Sequence, residues 1–385
     1  MSARHFVLAA GGTGGHMVPA AALAAELLRR GHSVSLVSDA RGVRFPGLFE
    51  DIETHILPAG RPGRGPVSLA RAGLAMLKGR AQAIALFKAQ RPSAVIGFGG
   101  YPAFPALAAA FALGIPTAVH EQNAVLGRVN RLVAGRVKAI ALSYPQTERL
   151  KPSHRNKAHL VGNPVRETVR ALRDRPYPLI EEDGIFRILV TGGSQGASVL
   201  SDVVPDGLAL LPMSFRRRLQ VTHQARPEDI DSARARYADH QIPADLATYL
   251  PDLPDQLAWA HLVIARAGAS TLAELSCAGR PAILVPLPAA TDDHQTANAR
   301  EMTEAGGART IRQGSFTPAE LAKQMQKLGL DPVALQNAAA RARSCGRPDA
   351  VRDLADLVES LDRPPGILPV GAVRPPKFGE QAAYA

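Results

Sequence analysis

Twice along this chain a short apolar run stops at a cluster of glycines. Residues 6–10 lead into Gly11-Gly12-Thr13-Gly14-Gly15-His16, and residues 186–190 lead into Gly192-Gly193-Ser194-Gln195-Gly196-Ala197. A run without polar alternation suits a strand buried on both faces, which means a parallel sheet flanked by helices. Glycine lets the chain turn sharply out of such a strand and brings backbone N–H groups close to whatever lies at the start of the next helix. Further strand candidates fall at 33–38, 94–97, 117–120 and 139–142, then at 220–223, 262–265 and 282–286. The expected fold is therefore α/β, with two doubly wound, Rossmann-like domains.

A chain of 385 residues, 46% of them hydrophobic, exceeds what one core organises. The first domain is expected over 1–163, with a hinge at 161–165, and the second over 164–345. A C-terminal helix at about 348–361 is expected to pack back on the first domain. Residues 19–30 read as the helix after the first glycine turn. The connection around 173–184 is polar and contains proline, so it should be exposed. Residues 362–385 are rich in Pro and Gly without periodicity and are expected to be a disordered tail.

The charge is unevenly divided. Residues 1–165 hold 20 Lys/Arg against 7 Asp/Glu, whereas 166–385 hold 25 against 27. Between Glu53 and Glu121 there is no acidic residue, yet Arg61, Arg64, Arg71, Lys78, Arg80, Lys88 and Arg91 all occur there. That is a footprint for an anionic partner, either acidic lipid or nucleic acid. The stretch lacks interleaved aromatics for stacking on bases, which disfavours nucleic acid. The longest apolar stretch, 103–119, is broken by Pro105, Gly114 and Pro116 and falls short of the roughly 20 residues of a spanning helix. No secretory signal is read at the start. Cys277 and Cys345 are not spaced as a zinc site or redox pair, and a reducing cytoplasm fits them.

The glycine turns weigh against some chemistry. Met17 stands where the third glycine of a dinucleotide fingerprint would fall, and neither turn ends in the Lys-Ser/Thr of a P-loop. A diphosphate bound without that lysine suggests a nucleotide-sugar. In the second half, Arg266-Ala267-Gly268-Ala269-Ser270-Thr271-Leu272-Ala273-Glu274 offers N–H groups at a helix start and, one turn on, a carboxylate that can accept ribose hydroxyls. Read without a ligand, the same residues are a helix-capping box. Asp292-Asp293-His294-Gln295 is a polar cluster whose paired acids suit a solvated or capping loop better than a metal. Asp229 and Asp231 lie in a charged, helix-like run read as solvated surface. In the first half, His120-Glu121-Gln122-Asn123 sits at the carboxyl end of a strand, where open α/β sheets hold ligands. His16 lies at the corresponding end of the first strand. Singly each histidine is an ordinary loop residue; together they make a base with its orienting partner.

These residues, with Phe98-Gly99-Gly100-Tyr101 and Asn163-Pro164-Val165-Arg166, occur in the order and spacing of a known family over about residues 5–360. The chain resembles the MurG family of N-acetylglucosaminyltransferases of peptidoglycan synthesis. The resemblance implies a GT-B fold, two Rossmann-like domains with parallel sheets facing a deep cleft, and no cofactor or bound metal. It implies inverting transfer of N-acetylglucosamine from UDP-N-acetylglucosamine to the 4-hydroxyl of lipid I, giving lipid II. By motif, Thr13, Gly14, Gly15 and Asn123 would meet the donor sugar, while Arg166, Ser194, Gln195, Glu274 and Gln295, with residues 269–273, would hold UDP. Leu250 aligns with a uracil-reading position. His16 is the expected base, and Glu121 is the alternative. The acceptor's tail implies a peripheral enzyme at the cytoplasmic face of the inner membrane, with other wall-synthesis enzymes as further partners. Leu74, Leu77, Ile84 and Phe87 interleave with Arg71, Lys78, Arg80 and Lys88, a combination suited to interfacial docking or, equally, to a helix with its apolar face in the core. A UDP-sugar epimerase on the same fold is the rival reading.

Overall fold

The computed structural model describes residues 3–12, 14–40, 42, 48–60, 63, 65–181, 184–193, 196–328 and 331–361. The expected tail at 362–385 lies outside these, as do Arg61, Arg64, Thr13, Ser194 and Gln195. The chain forms two compact units: Met1–Pro164 together with the residues from Asp349 onward, and Val165–Pro348.

Among the described residues the first unit holds seven strands, β1 (His5–Ala9), β2 (Ser33–Ser38), β3 (Glu53–Ile56), β4 (Ala94–Gly97), β5 (Thr117–Glu121), β6 (Ala139–Leu142) and β7 (Ala158–Leu160). All pair in parallel, in the order β3-β2-β1-β4-β5-β6-β7. Phe6 faces Val34 on one side and Ala94 on the other, so the strand order reverses at the edge of β1 and β4. Helices Gly14–Arg29 and Ala350–Glu359 cover one face, burying Leu23, Leu27, Leu354 and Val358 against Phe6, Leu8 and Ile96. Helices Pro66–Gln90 and Ala103–Leu113 cover the other. The helix after the first glycine turn begins at Gly14, earlier than expected, and carries Pro19 inside it. Pro19 has no N–H to return to the Gly15 carbonyl, so the helix lacks that one backbone bond.

Helix Pro66–Gln90 corrects part of the expected docking face. Phe87 is 1% exposed and packs in the core with Ile84 against it, so neither is presented to a membrane. Their spacing puts them on the stripe of Ala72, Gly79 and Ala83, which is the buried stripe. A Cβ on Gly79 would lie 2.1 Å from the Pro58 carbonyl oxygen, so glycine there lets the helix seat closely. Leu74 and Leu77, 69% and 63% exposed, point outward with Arg71, Lys78, Arg80 and Lys88.

The second unit repeats the plan with β8 (Phe186–Thr191), β9 (Leu219–Gln224), β10 (Ala244–Ala247), β11 (Leu262–Ala265), β12 (Ala282–Leu284) and β13 (Ala308–Thr310). These pair in parallel in the order β10-β9-β8-β11-β12-β13, with the reversal at β8 and β11. Asp229 and Asp231 sit at the start of helix Ile230–Asp239.

Helix Ala350–Glu359 is tied to the first unit by a partly buried charge network. Arg30 donates to Glu26 (2.8 Å), Asp356 (2.6 Å) and Glu359 (3.2 Å). His32 accepts the Arg4 N–H at Nδ1 (3.3 Å), which leaves Nε2–H to donate to Glu359 (2.9 Å). Arg4 and Lys138 donate to the Glu359 and Leu361 carbonyls at the helix's end. Hydrogen bonds from Arg29, then Arg30, hold the Glu26 carboxyl down to about 2 from its ordinary 4.5. A depressed carboxyl contributes its stability above pH 4.5 and loses it as the pH falls toward 2. Glu359→Ala strands Arg30 and His32, and urea unfolding should show a loss of about 2–4 kcal/mol. An unchanged midpoint would mean the network does not fasten the helix.

Candidate active site

The first glycine turn must be glycine for steric reasons. A Cβ on Gly11 would lie 2.8 Å from both Asp39 Oδ1 and Pro102, and Gly12 has φ +86°. The turn opens helix Gly14–Arg29, whose first turn has no acidic residue, so its positive end is uncancelled. His16 lies there with Nδ1 3.1 Å from the Gly11 carbonyl. A carbonyl only accepts, so Nδ1 carries the proton and Nε2 is the basic nitrogen of the neutral ring. The imidazole packs on the backbone of Gly99 and Gly100, both at positive φ; side chains there would come within 3.5 Å and 3.3 Å of it.

The next strand ends support that loop. His120 is fully buried at the end of β5. Its Nε2–H donates to the Gly162 carbonyl (2.9 Å), while Nδ1 accepts from Gln122 Nε2 (3.1 Å), which also donates to the Phe98 carbonyl (3.0 Å). Burial pushes His120 down to about 4; the Gly162 contact opposes this and nearby His16 adds to it. His120 is therefore neutral at physiological pH. Glu121, 2% exposed, accepts four N–H groups: those of Asn123 backbone (3.0 Å) and side chain (3.3 Å), the Gly127 backbone (2.7 Å) and the Asn130 side chain (2.9 Å). Both of its oxygens are thus committed to shaping the loop that carries Asn123.

In the second unit the turn after β8 is equally crowded. A Cβ on Gly192 would lie 2.4 Å from the Gly196 backbone, and Gly193 and Gly196 have φ +73° and +64°. Helix Ala269–Ala278 starts at Gly268 with no acidic residue in its first turn and no side-chain cap. Ala269 and Leu272 are buried and Ala273 packs on the core, so those three can offer a ligand only backbone. Ser270 Oγ is buried without a hydrogen-bond partner, and Thr271 Oγ1 lies 3.6 Å from where a Gly268 Cβ would be. Glu274 accepts Arg166 Nε (3.1 Å) and Nη2 (2.9 Å) through one oxygen, Oε1. Burial raises the Glu274 carboxyl and Arg166 partly pulls it back.

Gln295 uses its carbonyl as a clasp, accepting the Ala267 N–H (3.2 Å) and the Leu287 N–H (3.0 Å), so it joins the ends of β11 and β12. Asp292 and Asp293 before it have φ +56° and +51°, a strained pair that turns the chain into helix His294–Glu304. Leu250 is half-buried on the core beside Tyr249, which is 71% exposed. Sequence reasoning singled out Arg266 but not its partner Gln313, whose Oε1 accepts from it at 2.7 Å. It also passed over Asp39 and Arg226, both just beyond the carboxyl ends of strands; that position was the signal available.

Comparison with known proteins follows the same division. Residues 6–142 match the glycosyltransferase family 28 N-terminal domain and residues 187–356 its C-terminal domain. A Zymomonas mobilis protein is 62% identical over 358 residues, 93% of this chain and 92% of its own. It is named UDP-N-acetylglucosamine–N-acetylmuramyl-(pentapeptide) pyrophosphoryl-undecaprenol N-acetylglucosamine transferase. The crystal structure of Acinetobacter baumannii MurG is similar at a TM-score of 0.77 with 31% identity, covering 93% of this chain and 99% of that one. A UDP-N-acetylglucosamine 2-epimerase shares the fold at a TM-score of 0.63 but only 15% identity, over 92% of this chain and 95% of that one.

Three buried histidines give the fold a defined acid sensitivity. Burial lowers His120, His223 and His261 each to about 4 from the ordinary 6.5. Between those values the unfolded chain binds protons that the folded chain refuses, so stability should fall as the pH drops from 6.5 toward 4. Thermal melts across that window check this, and a flat profile would contradict the buried neutral state. Nitrogen NMR should find His120 still neutral at pH 5, with its single ring proton on Nε2.

Proposed function

The chain belongs to glycosyltransferase family 28, and on that premise we propose how its residues carry the reaction. It is a UDP-N-acetylglucosamine-dependent glycosyltransferase that moves N-acetylglucosamine to lipid I, forming lipid II. The observation that carries this reading is 62% identity over 93% of the chain to a transferase of that name, with the site motifs of both units at the carboxyl ends of parallel strands. The likeness to the epimerase reaches the fold alone.

The donor belongs to the second unit. The amides at the start of helix Ala269–Ala278 and the turn after β8 face the diphosphate, and Oε2 of Glu274 accepts ribose hydroxyls while Arg166 holds its partner oxygen. Arg166 thus meets the nucleotide chiefly through Glu274. Leu250 supports the base with its backbone. Negative charge grows on UDP as the bond from the anomeric carbon to phosphate breaks, and fixed amide dipoles favour that charged state.

The acceptor belongs to the first unit. His16 Nε2 takes the proton from the acceptor hydroxyl as its oxygen bonds to the anomeric carbon, UDP departs from the opposite side, and the configuration inverts. Glu121 keeps Asn123 in place and leaves the proton transfer to His16. His16→Ala should cut turnover about 10²–10⁴-fold while UDP-N-acetylglucosamine still binds. Turnover close to that of the unsubstituted enzyme would remove the base assignment.

The greasy acceptor is met at the membrane surface. Leu74 and Leu77 stand out from helix Pro66–Gln90 among exposed Arg71, Lys78, Arg80 and Lys88, so burial of leucine and attraction to anionic headgroups act together. Among the described residues no helix is long and apolar enough to cross a membrane. On this reading the enzyme associates peripherally, at the cytoplasmic face of the inner membrane. Reversing the charge of Lys78, Arg80 and Lys88 should sharply reduce cosedimentation with phosphatidylglycerol vesicles, and undiminished binding would rule this helix out.

A further inference from the structure

We propose that Arg226 is a phosphate-binding residue for the diphosphate of the nucleotide donor, reaching it over the glycine turn that follows β8. The assignment rests on the donor reading above and adds a residue that neither the motifs nor the comparisons identify.

β9 and β11 lie on either side of β8, so the residues leaving their carboxyl ends flank Gly192 and Gly193, which leave β8. From β9 the chain passes through buried Ala225, whose N–H is fixed to the Ala247 carbonyl (3.0 Å), and emerges at Arg226. The arginine stem runs across Gly196, where a Cβ would lie 2.6 Å from Arg226 Cγ. Gly196 is thus required by its φ of +64° and again because the stem fills its side-chain space. The guanidinium donates to Ser198 Oγ (3.4 Å), the first residue of helix Ser198–Ala209, which has no acidic residue in its first turn. Exposed Glu228 lies 3.7 Å away.

From β11 comes a second guanidinium. Arg266 is buried and held by three neutral acceptors, the carbonyls of Val285 (3.0 Å) and Pro286 (3.3 Å) and Gln313 Oε1 (2.7 Å). None of those three cancels its charge. Burial lowers its affinity for the proton and the nearness of Arg226 lowers it further. Two cations are therefore brought toward one turn, beside an uncancelled helix start, at the point where the strand order reverses. Gathering like charge this way costs stability, which a dianionic diphosphate would return.

Calorimetric titration of R226A and R226K with UDP and with uridine tests the assignment. R226A should weaken UDP binding about tenfold or more and leave uridine nearly unchanged, because only UDP carries the phosphates. R226K keeps a stem against Gly196 and should restore part of the loss. The ligand-free melting temperature of R226A should hold or rise as repulsion is relieved, while the rise produced by UDP shrinks; a merely structural arginine would lower the first. Equal UDP affinity in R226A and the unsubstituted enzyme overturns the assignment alone. An unsubstituted enzyme that binds no UDP overturns the donor reading and this residue's role with it.

Discussion

The absence of side chains at a few turn positions is what the rest of this molecule is built around. A buried parallel strand must hand its chain to a helix within a few residues, and the space at that handover is already filled by neighbours. At Gly11 it is filled by Asp39 and Pro102, at Gly192 by the backbone of Gly196, and at Gly196 by the stem of Arg226. Only glycine fits, and the same lack of bulk lets backbone N–H groups face a ligand. The steric requirement of the fold and the electrostatic requirement of the site are therefore met by one set of residues.

Around these turns most of the polar groups act on the protein before they act on a substrate. Glu121 satisfies four donors, His120 bridges two loops as a neutral ring, and Gln295 joins two strand ends. Each is tied to backbone, so strand-end loops that would otherwise move are held to a fixed sheet. A residue so committed is a poor proton acceptor, because every hydrogen bond to the carboxylate or the imidazole lone pair must be given up first. That is the physical ground on which the proposed reaction leaves His120 and Glu121 to hold their loops.

How much of this was legible in the sequence depended on burial. The central strands declared themselves as apolar runs, whereas β3, β7, β10 and β13 did not, because each is short and β3, β10 and β13 are half-exposed along most of their length. Their place is fixed by pairing with neighbours, and pairing leaves little trace in local composition. Helix Pro66–Gln90 showed the converse limit: Phe87 and Leu74 are both apolar, and only the register against Gly79 and Ala83 says which faces the core. The glycine turns and the Glu274 carboxylate could be read from motif spacing. The Arg166–Glu274 pair, which spans 108 positions, could not. Nor could the approach of Arg226 to Arg266, since the three-dimensional sheet order alone brings the ends of β9 and β11 to either side of β8.

The two units also handle charge on different length scales. In the first, 24 Lys and Arg stand against 13 Asp and Glu and many of the cations are exposed on one helix, so their fields add over a surface and act at about a Debye length, ~8 Å in physiological salt. Such a field suits a broad anionic sheet of headgroups and has little power to choose one phosphate. In the second unit cations and acids balance at 21 each, so little net field extends outward. There Arg166 is paired with one carboxylate and Arg266 is fixed by neutral acceptors in a buried setting, where Coulomb terms are strong and short-ranged. A soluble nucleotide must be chosen by geometry, and a membrane need only be found. The proposed function assigns those two tasks to two domains of one fold, and the uneven split of charge between them fits that assignment.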